Sequence, residues 1–91
     1  MQVMICYDVM NDRRRARVAK LLEGWGRRVQ RSVFECEVSS KEYRELSAKL
    51  SRLIKPSEDC VRLVALCADC QARVIAMGAE MEEEFAKIVI V

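Results

Sequence analysis

The order of apolar and charged segments predicts an α+β domain of the ferredoxin-like βαββαβ kind: two helices on one face of an antiparallel sheet, with extra C-terminal strands. Three observations carry this. Strand-like and helix-like apolar patterns follow one another as strand, helix, strand, strand, helix, strand. The one proline, Pro56, stops the second helix before a further strand. A length of 91 residues suits one domain with an ample core, since 52% of the residues are hydrophobic.

Gln2 to Tyr7 reads as a buried strand of Val, Met, Ile and Cys. Asn11 or Asp12 caps a first helix running to about Trp25, with Val18, Leu21, Leu22 and Trp25 as its apolar stripe and Gly24 and Gly26 as its stop. Arg28 to Val38 reads as two short strands, or one bent sharply near Arg31-Ser32, packed through Val29, Val33, Phe34 and Val38. Ser39-x-x-Glu42 has the form of a capping box and opens a second helix with the stripe Tyr43, Leu46, Leu50, Leu53 and Ile54. Cys60 to Cys67 is a fourth strand, and Arg73 to Met77 a candidate fifth, closed by Gly78. Lys87 to Val91 (KIVIV) is a terminal strand behind an acidic spacer. The division expected is a ferredoxin-like nucleic-acid-binding domain over 1–78 and, over 79–91, the spacer and a strand that exchanges between two copies of a homodimer. The alternative for KIVIV is an ordinary edge strand in its own sheet.

Charge is segregated. From Val9 to Phe34, Arg13, Arg14, Arg15, Arg17, Lys20, Arg27, Arg28 and Arg31 face only Asp12 and Glu23, a balance of +6, whereas 35–78 is neutral and 79–91 is −3. At 100° per residue Arg13, Arg17 and Lys20 form one row opposite the apolar stripe. Phosphate is the fitting partner for Arg13, Arg14, Arg17, Lys20, Arg27, Arg28 and Arg31, through sequence-independent and salt-dependent contacts. With aromatics at 5%, single-strand stacking is disfavoured.

Asp8 ends the first strand at the mouth of this basic segment. Two roles suit it: capping the turn or pairing with Arg14 or Arg15, and holding a hard cation, Mg2+ or Mn2+. One carboxylate per chain is half a site, which a two-fold axis would complete with a second Asp8. The chain has no histidine, so hydrolysis of a phosphodiester would rely on metal-assisted water, with arginines on the phosphate. Ser32 is a turn residue or a hydrogen-bond donor to that chemistry. Cys67-x-x-Cys70 cannot complete a four-ligand zinc site in one chain, and Cys6, Cys36 and Cys60 read as core residues of strands. Five cysteines without a framework pattern fit a reducing cytoplasm. The start of the chain does not read as a secretory signal, and no run approaches the about 18 apolar residues of a membrane span.

Several segments together resemble the CRISPR-associated protein 2 family. They are Tyr7-Asp8, the run Asn11-Asp12-Arg13-Arg14-Arg15-x-Arg17-Val18-Ala19, the segment from Gly26 to Cys36 with its specific Arg-Val-Gln-x-Ser-Val-Phe-Glu, and Glu58-Asp59-x-Val61-Arg62. Asn11 departs from the acid that many members carry there, which leaves Asp8 as the metal ligand. The resemblance implies a ferredoxin-like homodimer with a swapped C-terminal strand. It also implies a magnesium-dependent endonuclease acting on single-stranded RNA or double-stranded DNA, with activity linked to Tyr7, Asp8, Arg15, Arg17, Arg28, Ser32 and Phe34. A third implication is a complex with the CRISPR-associated protein 1 integrase, in which the small dimer bridges two integrase dimers and holds duplex DNA. The two functional readings are thus a metal-dependent endonuclease and a non-catalytic bridge.

Overall fold

The computed structural model describes residues 1–73, 75–77 and 89–90, the side chains of 70, 71, 76, 89 and 90 excepted. The strands and helices are β1 (Gln2–Asp8), α1 (Asp12–Glu23), β2 (Arg27–Gln30), β3 (Val33–Glu37), α2 (Ser40–Leu53), β4 (Cys60–Leu66), α3 (Ala68–Ala72), β5 (Ile75–Ala76) and β6 (Val89–Ile90). The sheet order is β2-β3-β1-β4, and β1 pairs antiparallel with both β3 and β4. This is the ferredoxin-like α+β arrangement expected.

Alternation in β1 divides the sheet into two faces. Val3, Ile5 and Tyr7 are buried with Phe34 and Cys36 of β3, Val18 and Leu22 of α1, and Leu46 and Leu50 of α2, so both helices cover one face. The opposite face carries Gln2, Met4, Cys6 and Asp8. Their register partners are Glu37, Glu35 and Val33 on one side and Leu66, Val64, Arg62 and Cys60 on the other. Val64 is 40% exposed there, and neither α1 nor α2 packs on this face.

Local chemistry sets the element ends. Asn11 Oδ1 accepts from the Arg14 amide at 3.0 Å and starts α1. The helix stops at Glu23, two residues earlier than the apolar stripe suggests. The Gly24 and Trp25 amides bond three residues back, to Leu21 and Leu22, which tightens the last turn. Trp25 follows the helix and still packs on the core. Gly26 is required by space, because a Cβ there would lie 2.2 Å from the Glu35 carbonyl oxygen and 2.6 Å from Cys36 Cβ. The Ser39–Glu42 capping box forms in both directions.

The Arg28–Val38 region is two strands joined at Arg31-Ser32, with a bulge between Arg28 and Gln30. Cys36 is buried and Cys6 half-buried, but Cys60 is exposed, because it opens β4 on the helix-free face opposite Asp8. A short helix, α3, unforeseen in the sequence, follows Cys67 and contains Cys70. The candidate fifth strand is two residues long, Ile75–Ala76, and pairs parallel with Val89–Ile90 of the expected terminal strand. The acidic spacer, Lys87 and Val91 lie outside the described residues, as does the boundary drawn at 78.

Candidate metal and nucleic-acid site

The sheet end that carries Asp8 gathers four segments: the end of β1, the start of α1, the Arg31-Ser32 turn and the approach to β4. The Tyr7 amide donates to the Ser32 carbonyl oxygen at 3.1 Å, and the Tyr7 hydroxyl donates to the Arg31 carbonyl oxygen at 3.2 Å. Arg28 Nη1 donates to that same Arg31 oxygen at 2.8 Å, while its guanidinium lies 5.1 Å from the centroid of the Phe34 ring. Tyr7 and Phe34 stack at 6.2 Å. Four residues linked to activity by resemblance, Tyr7, Arg28, Ser32 and Phe34, therefore form one cluster. Within it Tyr7 and Phe34 are buried core residues that fix the turn, with Phe34 at 0% exposure. Arg28 is exposed at the rim, and the half-buried Ser32 makes no hydroxyl hydrogen bond among the described residues.

Asp8 is exposed on the helix-free face, and its carboxylate has no partner among the described residues. Neither arginine named as its possible mate engages it. Arg15 donates to the Val9 carbonyl oxygen at 2.9 Å and pairs closely with Asp12. Arg14 reaches across to Asp59, its Nε 2.8 Å from Oδ2 and its Nη2 3.2 Å from Oδ1, and also meets Glu58 at 3.1 Å.

Asp59 is the residue that sequence reasoning missed. Its side chain has no solvent exposure, and its remaining acceptor capacity is taken by the Met10 amide at 3.1 Å and the Lys55 amide at 2.7 Å. The Arg14 hydrogen bonds, helped by the Lys55 and Met10 amides, hold its carboxyl down from 3.8 to about 2, against the opposing effect of burial. The same contact raises the Arg14 pKa. The only hint in the sequence was Glu58-Asp59 beside the family-like Val61-Arg62.

The basic set divides by direction. Arg13, Arg17 and Lys20 stand exposed on the outer side of α1 without partners among the described residues. Arg31 is exposed at the turn, and Arg27 is exposed on β2 opposite Glu35, on the helix-free face. Arg14, by contrast, is only 21% exposed and is engaged by two carboxylates. As for a metal, the described residues contain no cluster of three potential ligands. One chain offers the open Asp8 carboxylate, and the nearby Val9 carbonyl is already occupied by Arg15. That single carboxylate fits a largely hydrated Mg2+ or Mn2+ and is too little, by itself, for a closed site.

Together these features define a small ferredoxin-like chain with a basic helix and an open acid at the end of a central strand of its sheet. The chain belongs to the family described as CRISPR associated protein Cas2, whose model matches residues 1–74. It is 49% identical over 76 residues to a protein of Chloroflexus aurantiacus named CRISPR-associated endoribonuclease Cas2 1, covering 82% of each chain. It is 40% identical over 78 residues to a Thermus thermophilus relative of the same kind, covering 86% of this chain and 83% of the relative. Among solved structures, Streptococcus pyogenes Cas2 superposes with a TM-score of 0.74 at 36% identity, over 86% of this chain and all of that one. A chain of a partial Cas6-RT-Cas1–Cas2 complex gives 0.69 at 36% identity, over 80% of this chain and 86% of that chain.

Proposed function

We propose that the protein acts in CRISPR spacer acquisition as a homodimer joined through its helix-free sheet face, with a Mg2+- or Mn2+-dependent endonuclease site at the paired Asp8 residues. One observation carries this reading. Asp8 shares its face with Met4, Val33, Val64 and Leu66, so a two-fold axis that covers these apolar side chains brings the second carboxylate to the same interface. The bound cation supplies Lewis acidity and positive charge at the scissile phosphate. Asp8 would hold it through oxygens that no other side chain among the described residues engages. Arg17, with Arg13 and Lys20, holds the nucleic-acid backbone, joined by Arg27 and Arg31, and Arg28 at the rim meets charge developing on the phosphate. The Ser32 hydroxyl donates to a phosphate oxygen or orients a water. Tyr7 and Phe34 keep the turn and Arg28 in place, and Arg15 fixes the loop after Asp8 through the Val9 carbonyl.

A second reading is favoured by the breadth of the unpaired cations against a single carboxylate per chain, and by the structural neighbour taken from a complex with Cas1. In it the dimer is a non-catalytic bridge that holds duplex DNA within the Cas1 integrase assembly, in the cytoplasm. Labelled duplex DNA and single-stranded RNA incubated with Mg2+, with EDTA and with Asp8→Asn separate the two. The nuclease reading expects metal-dependent cutting that falls more than about 100-fold in Asp8→Asn, beyond the usual effect of a metal's outer-shell partners. Duplex binding without cutting, with a salt slope lowered by about 0.9 in Arg17→Ala, is the bridge's signature.

A further inference from the structure

The last paired residues of the β1–β4 ladder are Asp8 and Cys60, and beyond them both strands leave the sheet. Backbone pairing does not continue into Val9 and Asp59. The Asp59 carboxylate takes over. It accepts the Met10 amide from the β1–α1 turn and the Lys55 amide from the α2–β4 loop, and it receives Arg14 from the first turn of α1. Val9, between Asp8 and the clamped Met10, is 2% exposed and anchored in the core. Three restraints therefore act within two residues of Asp8 on its C-terminal side: the Val9 side chain in the core, the Arg15 bond to the Val9 carbonyl oxygen, and the Asp59 bond to the Met10 amide.

We infer that Asp59, together with Arg14, is a positioning residue for Asp8: the buried pair locks the β1–α1 turn so that the Asp8 carboxylate is presented at a fixed height on the helix-free face. Geometric tolerance makes this matter. Ligand constellations work within about 0.5 Å, and a strand's terminal residue frays unless something closes the ladder beyond it. Asp59 does this without touching the ligand itself. The same arrangement removes Arg14 from the phosphate-binding set, because its guanidinium is directed inward at a carboxylate with no exposure. The inference rests on the metal reading of Asp8 proposed above.

The test is Mn2+ binding by the full chain, read from the electron paramagnetic resonance signal of free Mn2+. It is run on wild type, Asp8→Asn, Asp59→Asn and Arg14→Lys, well below each variant's melting temperature. Wild type is expected to bind and Asp8→Asn to lose binding. Asp59→Asn is expected to bind about tenfold more weakly or worse, the range of outer-shell partners. Mn2+ affinity within twofold of wild type in a folded Asp59→Asn overturns the positioning role and leaves the metal reading standing. Absent wild-type binding, or equal binding by Asp8→Asn, overturns the metal reading and this inference with it. Should Asp59→Asn fail to fold, Arg14→Lys decides on the same criteria, since lysine keeps the charge but not the two-nitrogen fork.

Discussion

The two faces of the sheet obey different rules. On the covered face the residues are apolar almost without interruption, and Val3, Ile5, Val18, Phe34 and Leu46 are all at 0% exposure. On the bare face Met4, Val33, Val64 and Leu66 are interleaved with Glu35, Arg62 and Asp8, and several of these remain open to water. A covered face specifies the fold of one chain. A half-apolar face with charges at fixed register specifies how that chain meets a second surface, since matched charges select the partner's orientation. Asp8 belongs to the second group although its backbone belongs to the strand at the centre of the first.

Substitutions can break that distinction. The largest effect is expected on the covered side. Leu46→Ala leaves a cavity under both helices and should cost about 2–5 kcal/mol, read as a lower urea midpoint with an unchanged slope. On the bare side Val64→Glu should leave the unfolding free energy of the dilute monomer within about 0.5 kcal/mol of wild type. It should nevertheless weaken self-association at least about tenfold by analytical ultracentrifugation, because it sets a carboxylate in the apolar centre of the proposed interface. A Val64→Glu variant that unfolds instead would erase the division between the faces.

The smallest effect near neutrality sharpens the comparison at the seam where the faces meet. Asp59 has a folded-state pKa of about 2, below the 3.8 of an ordinary aspartate, so the unfolded chain binds its proton first as pH falls. Its stabilisation is complete above about pH 4 and disappears as pH drops through 2. The difference in melting temperature between wild type and Asp59→Asn should therefore be constant from pH 7 to 5 and shrink steadily between 4 and 2. A difference that stays constant to pH 2 would mean that Arg14 does not hold the carboxylate charged.

How much was legible in the sequence follows from the range over which each signal acts. The Ser39–Glu42 box, the helix cap at Asn11 (one of two candidates) and the succession of strands and helices along the chain depend on neighbours within a few residues, and they form as read. Asp59 depends on three segments meeting, and nothing within a few residues distinguishes it from the exposed Glu58. Arg13 and Arg14 are adjacent and chemically identical, but 100° of helix rotation turns one to solvent and the other to a buried acid. Cys60 looks like a core strand residue until pairing with Asp8 places it on the uncovered face. Gly26 reads as a helix stop, whereas its necessity comes from the backbone of a strand that follows it.

The position of β1 between β3 and β4 also shapes how the molecule is made. Of the four strands in this sheet, the one synthesised before the others is the one that needs two later partners, and its second edge waits for β4 to be synthesised. At roughly 5–20 residues per second, β1 and β3 can pair on the order of seconds before β4 arrives. Until then the nascent chain offers an open, apolar strand edge to its neighbours on the polysome, and the sheet closes only after most of the chain has emerged.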